Sequence, residues 1–217
     1  GLLTLCPVAY RTTRLLLLLC MVALWIRGAM LVRKRRALAA LVVVLPLLGA
    51  SWLSLPGRPA APSELRTAYA KSLLKYRGAR YVWGGESRLG IDCSGLVRRG
   101  LIDANVVVGV RTLNPRLLRA ALSLWWHDCS ARALRDEHRG LTTRLGVAPC
   151  INGIAKERLM PGDLAVTADG IHVLACLGEA TWIEADPGVM RVITVATPSD
   201  NTWFTVPVQL VRWTQLV

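Results

Sequence analysis

Gly90-Ile91-Asp92-Cys93-Ser94-Gly95-Leu96-Val97 is the stretch on which the reading of this chain turns. It follows a glycine-punctuated segment, Tyr81 to Gly90, and passes into a run that reads as a helix from Cys93 to about Asn105. Cys93 then lies in the first helical turn, where unpaired amide N–H groups and the positive end of the helix dipole face its sulfur. A thiol is an effective nucleophile only as a thiolate, and a helix tip or a neighbouring imidazolium lowers its pKa. The spacing therefore makes Cys93 a candidate nucleophile, with a buried structural thiol as the plain alternative.

Outward from this stretch the chain changes texture once. Ser63 is placed to cap a helix whose apolar side reads Leu65, Tyr69, Leu73, Tyr76 and which closes at Gly78. Residues 115–127 and 130–145 also read as helices, rich in Leu, Ala and Arg. After Pro161-Gly162-Asp163 come short runs rich in Val, Ile, Thr and Trp: Leu164–Thr167, Ile171–Leu177, Thr181–Ala185, Val189–Val195 and Trp203–Trp213. Helices first and strands afterwards predict a segregated α+β domain, N-terminal helices packed on an antiparallel sheet. A base for Cys93 must come from those strands. His172 opens one of them, and the turn Gly178-Glu179-Ala180 folds the next strand back beside it. Glu184 on that returning strand can reach the outer imidazole nitrogen and hold the ring, as the third member of a triad does.

Tyr76-Arg77-Gly78-Ala79-Arg80-Tyr81-Val82-Trp83-Gly84-Gly85 together with Gly90–Val97 closely resembles the NlpC/P60 family of papain-like cysteine peptidases. Leu159-Met160-Pro161-Gly162-Asp163-Leu164 is similar to the family's L-x-x-G-D-L turn, and His172 to Gly178 to its H-V-G-I-Y-L-G strand, in the family's order. The resemblance runs from about Pro62 to Pro187. It implies Cys93 as nucleophile and His172 as base, with the third polar position, usually His, falling on Glu184; Asp186, on the same strand face, is the fallback. It also implies that Tyr81, Asp92 and Ser94 recognise the free N-terminal L-Ala of a wall stem peptide. The implied activity is hydrolysis of the amide between D-Glu, through its γ-carboxyl, and the diamino acid of peptidoglycan, without metal or other cofactor. Asp92 and Ser94 are equally ordinary residues for capping a helix. Two alternatives stay open: an amidase or acyltransferase of the same fold acting on another envelope substrate, and a catalytically silent wall-binding module. Between Cys93 and His172 the chain is longer than a compact member needs, the extra material being an Arg-rich helical pair near 114–146.

Composition divides the chain in two. Of 217 residues 53% are hydrophobic, with a mean hydropathy of +0.40 and a net charge of +13. Residues 1–56 carry seven basic residues and no acid, so +7 belongs to this leader and +6 to the remainder. Ala37 to Leu55 is 19 residues without a charge, the length of a spanning helix, and Arg33-Lys34-Arg35-Arg36 before it stays cytoplasmic by the positive-inside rule. Leu15 to Val32, broken by Arg27, is a candidate first span of a hairpin. The chain opens on Gly1, and a start at Met30 would instead give a signal peptide whose basic n-region is 33–36, with Gly49, Ala50 and Ser51 offering a cleavage site. No lipoprotein pattern precedes Cys6 or Cys20. Either reading exports the domain at 63–217, after a Pro/Gly-rich linker at 57–62, into the cell envelope.

The remaining chemistry-bearing residues read as structural. Cys176 shares His172's strand face and reads as core. His127, Cys129, His138 and Cys150 lack the spacing of a tight zinc knuckle, so no metal is expected; a Cys129–Cys150 disulfide is the more credible pairing in an oxidising compartment. The domain's positive charge suits anionic wall polymers or lipid headgroups. Nucleic acid is excluded as a partner, because no basic run outside the leader is interleaved with aromatics.

Overall fold

The computed structural model describes residues 11–217; Cys6 lies outside the described residues. Two long helices come first, α1 (Arg11–Val32) and α2 (Arg36–Ser54), both long and apolar enough to cross a membrane, with windows of mean hydropathy 2.4 and 2.1. They pack against each other as a hairpin whose turn is the basic block at 33–36. Pro46 sits inside α2 and has no amide to donate to the carbonyl of Val42. The indole Nε1 of Trp25, from α1, donates to that carbonyl at 3.0 Å. One helix thus satisfies the polar group that the other's proline orphans.

Beyond the linker stand α3 (Pro62–Leu74), α4 (Cys93–Arg111), α5 (Pro115–Trp126) and a short α6 (Ala131–Arg135). The first of these begins two residues earlier than Ser63 as its cap would have it. Ala61 is the N-cap and Pro62 occupies the first turn, where its missing N–H costs nothing. The helix ends at Leu74, and the chain turns on through Gly78 at φ +80°. The linker is fastened rather than loose: the Asn114 side chain donates to the carbonyl of Arg58 at 2.7 Å, and Arg119 donates to the carbonyls of Leu53, Leu55 and Pro56.

A small hairpin, β1 (Glu86–Ser87) with β2 (Gly90–Ile91), precedes α4. The main sheet has six antiparallel strands in the order β3-β8-β4-β5-β6-β7: β3 (Thr142–Ala148), β4 (Asp163–Thr167), β5 (Val173–Gly178), β6 (Thr181–Asp186), β7 (Arg191–Ala196) and β8 (Val208–Trp213). Both its faces are covered, so the central strands are apolar on both sides. Leu164, Val166, Val173, Ala175, Ile183 and Val211 pack towards the helices. Ala165, Leu174, Cys176, Trp182, Val208 and Leu210 pack under a second cover that includes Ile151 and Phe204.

Two expectations are corrected here. The segment at 130–145 is not one helix. Only Ala131–Arg135 is α-helical, and from Thr142 the chain is an edge strand paired with β8, so the material near 114–146 contributes to the sheet as well as to the helical layer. Cys129 and Cys150 are free thiols. Cys129 is buried in the core on the helix side, whereas Cys150 leads into Ile151 of the cover on the opposite side of the sheet, so the two are drawn into different cores.

Candidate active site

Asp92 is the N-cap of α4. Its Oδ1 accepts from the backbone N–H of Gly95 at 2.6 Å and from the Ser94 hydroxyl at 3.0 Å, and its Oδ2 accepts from the N–H of Gly84 at 2.7 Å. One carboxylate thereby closes the helix tip and draws the glycine loop over it. The glycines make that closeness possible. A Cβ on Gly95 would collide with the carbonyl oxygen of Gly85, and one on Gly85 would come within 2.5 Å of the carbonyl oxygen of Gly90. Burial pushes the Asp92 carboxyl up, and the donations from Gly95, Gly84 and Ser94 pull it back.

Cys93 follows at the first position of the helix, 7% exposed, with its sulfur 3.8 Å from the carbonyl oxygen of Ile171. The expected lowering of its pKa is present but outweighed. The amides of Val173, Ser94 and Cys93 itself favour the thiolate, yet burial, aided by Asp92, pushes the thiol up to about 12. At rest the group is a neutral thiol directed at a backbone carbonyl. Tyr81, half-buried beside it and pushed up to about 12 mainly by burial, enters through a backbone donation to Met190 at 2.9 Å.

Ile171 brings His172 with it, immediately ahead of β5. The ring is 2% exposed, and its Nε2 lies 2.6 Å from Oε2 of Glu184 on β6. Glu184 is fully buried. Burial raises its carboxyl above the ordinary range and Asp186 adds to this, while the contacts with His172 and Asn201 lower it. Asp186 meets other partners: its Oδ1 accepts from the N–H groups of Gly188 and Val189 at 2.6 and 3.2 Å. Of the two acids it is Glu184 that stands against the imidazole.

Two residues around this pair had no role in the sequence reading. Trp203 stacks on the His172 ring with centroids 4.2 Å apart and planes 22° apart. Asn201 donates through Nδ2 to Oε1 of Glu184 at 3.1 Å and to Oδ2 of Asp186 at 2.9 Å, so one amide holds two buried carboxylates in register. Both belong to a loop and a single 3-10 turn between β7 and β8, and neither periodicity nor spacing singles them out. A third residue, Trp83, stands 79% exposed in the loop that Asp92 pins. Cys176 is buried in the second core, as its strand position indicates.

A thiol at a helix tip, set against an antiparallel sheet that carries an imidazole–carboxylate pair, is the framework of the papain-like α+β class. A model of the NlpC/P60 family matches residues 78–212. The chain belongs to the NlpC/P60 family, which at family level is one of cell-wall peptidoglycan hydrolases. Similar solved structures include the NlpC/p60 domain of the peptidoglycan hydrolase SagA, at 21% identity over 68% of this chain and 97% of that one, TM-score 0.41. They also include the peptidoglycan hydrolase RipB from Mycobacterium tuberculosis, at 19% identity over 76% of each chain, TM-score 0.44. A third is NlpC2 from Trichomonas vaginalis, at 16% identity over 75% of this chain and 50% of that one, TM-score 0.45. No curated protein matches the chain.

Proposed function

We propose that this chain is an envelope-facing cysteine endopeptidase that hydrolyses an amide of peptidoglycan stem peptides, the bond between the D-Glu γ-carboxyl and the diamino acid. The observation that carries the reading is the buried His172–Glu184 pair at 2.6 Å, on the residue next to the carbonyl that Cys93 contacts. With Nε2–H donating to Glu184, the lone pair sits on Nδ1, which is the nitrogen left to take the Cys93 proton. Transfer produces a thiolate and an imidazolium, and Glu184 steadies the latter. The thiolate attacks the amide carbon. The resulting oxyanion is met by the Cys93 N–H and a neighbouring donor, and the imidazolium returns its proton to the departing amine. Water, deprotonated by His172, then releases the acyl group.

Tyr81, Asp92 and Ser94 recognise the ammonium of the stem's N-terminal L-Ala in this reading. Asp92 supplies the charge through Oδ2, which accepts only from the N–H of Gly84 and keeps a lone pair, whereas Oδ1 already takes two donors. The apolar hairpin holds the domain at the outer face of the bacterial membrane, with the Arg33–Arg36 turn inside.

The test is digestion of defined muropeptides by the purified full-length chain, read by mass spectrometry, with Cys93→Ala as control. The expected products are an L-Ala–D-Glu fragment and a fragment beginning with a free diamino acid. Cleavage at another amide, or acyl transfer to an added amine, gives the reading to the amidase or acyltransferase alternative. No reaction with any muropeptide leaves a binding module.

A further inference from the structure

Arg14 lies one residue before the apolar run of α1, yet its side chain is only 1% exposed. It reaches into the catalytic domain. Its Nη2 donates to both carboxylate oxygens of Glu86, at 2.9 and 2.8 Å, and its Nη1 to the carbonyl of Trp126 at 3.4 Å, while its guanidinium stands 5.7 Å from the ring centre of Trp125. Glu86 also pairs with Arg98 of α4, itself 1% exposed. Arg98 in turn pairs with Asp128 at 3.1 Å and donates to the carbonyls of Leu124 and His127, which end α5. Among these contacts Arg14 is the member contributed by α1. Its removal leaves the largely buried Glu86 carboxylate with one guanidinium partner fewer.

Glu86 opens the β1–β2 hairpin, and that hairpin leads into Asp92 and Cys93. Its backbone is tied to the site: Asp92 donates from its N–H to the carbonyl of Gly85 at 3.1 Å. At the other end of α5, Arg119 grips the outer end of α2. One helix of the domain therefore meets both outer ends of the apolar hairpin. We propose that Arg14 of α1 is a positioning residue for the Glu86–Ile91 hairpin beside the Cys93 tip, so that the N-terminal helix is a working part of the catalytic domain rather than a removable leader.

The test uses the full chain in detergent micelles. Arg88 is exposed at the turn of the β1–β2 hairpin and provides a readout that needs no substrate, tryptic cleavage after Arg88. Arg14→Met should speed that cleavage about tenfold over cuts elsewhere, Arg14→Lys should restore part of the protection, and Arg27→Met, an exposed cation of the same helix, should match the parent. Arg14→Met with Glu86→Gln should be no faster than the worse single variant, because the two act through one contact. A second arm rests on the function proposed above: Arg14→Met should raise KM for the stem peptide about fivefold with kcat within twofold. Parental cleavage at Arg88 in Arg14→Met, or acceleration spread equally over all tryptic sites, overturns the proposal. Absence of turnover in the parent chain counts against the peptidase reading alone and leaves the tryptic arm standing.

Discussion

At Cys93 two opposing effects meet at one sulfur. Helix-tip amides favour the thiolate; burial opposes it more strongly and holds the thiol neutral near neutral pH. In the function proposed above, activation comes through His172, which makes a specific expectation. Alkylation of Cys93 by iodoacetamide at pH 7 should fall by at least tenfold in His172→Ala, because the remaining surroundings favour the thiol. Peptide turnover should vanish in Cys93→Ala and drop in His172→Ala by the roughly 10²–10⁴-fold that a positioned base provides. Glu184→Gln should cost less, about tenfold, since an amide can still accept from Nε2–H and hold the ring. Asp92 carries two roles that a pair of substitutions can separate. Asp92→Asn keeps an oxygen for the N–H of Gly95 but turns an NH2 towards the N–H of Gly84, so it should lower the melting temperature by less than Asp92→Ala while raising KM if the carboxylate meets the substrate ammonium. Asp92→Ala should lose about 1 kcal/mol of stability as a helix cap, measured by urea unfolding. Equal KM values for Asp92→Asn and the parent would leave Asp92 as a cap alone.

The elements differ in how openly the sequence announces them. α4 and its approach are legible because their residues answer backbone demands: Asp92 caps, and Gly85 and Gly95 let backbone touch backbone. Gly95→Ala should accordingly destabilise the chain by about 1–3 kcal/mol, seen as a lower urea midpoint, because the nearest atom opposite is backbone, the carbonyl oxygen of Gly85. The strands β4 to β6 are legible as short runs rich in Val, Ile, Thr and Trp between turns. The edge strand β3 is not. Only Thr142 of its residues is buried, Leu145 and Val147 face outwards, and a register shift at Arg144/Gly146 breaks the alternation by which a strand is read. The Arg- and Leu-rich residues just before it imitate a helix that would run on into it, and pairing with β8 fixes it as a strand. Cys93 and His172 stand out in the sequence as candidates because flanking blocks mark them. Asn201 and Trp203 could not, since a loop residue that holds an acid or shields a ring follows no period. In the apolar hairpin, the Trp25–Val42 bond is invisible in sequence until the two helices are placed together. Trp25→Phe should loosen that pairing, read as easier separation of α1 from α2 by cross-linking in detergent.

For the molecule as a whole, the buried thiols set an alkaline limit. Cys93 and Cys129 are both raised from an ordinary 9.0 to about 12 by burial. In each case the fold binds the proton more tightly than the unfolded chain does. The stability they contribute is therefore complete below pH 9 and is lost as pH rises through 12. Urea midpoints should fall across that window, and Cys129→Ala should flatten the fall. The same whole-molecule view sets the geometry of the proposed tether. Between Ser54, where α2 ends, and Pro62, where α3 begins, there are only seven residues, and Arg119 and Asn114 already hold several of them. Fully stretched, such a strap could reach about 25 Å; fastened, it reaches less. On the function proposed above, a peptidase on so short a leash would not patrol the depth of a wall; it would work in one thin layer next to the bilayer, and the strands it cut would be those that pass through that layer.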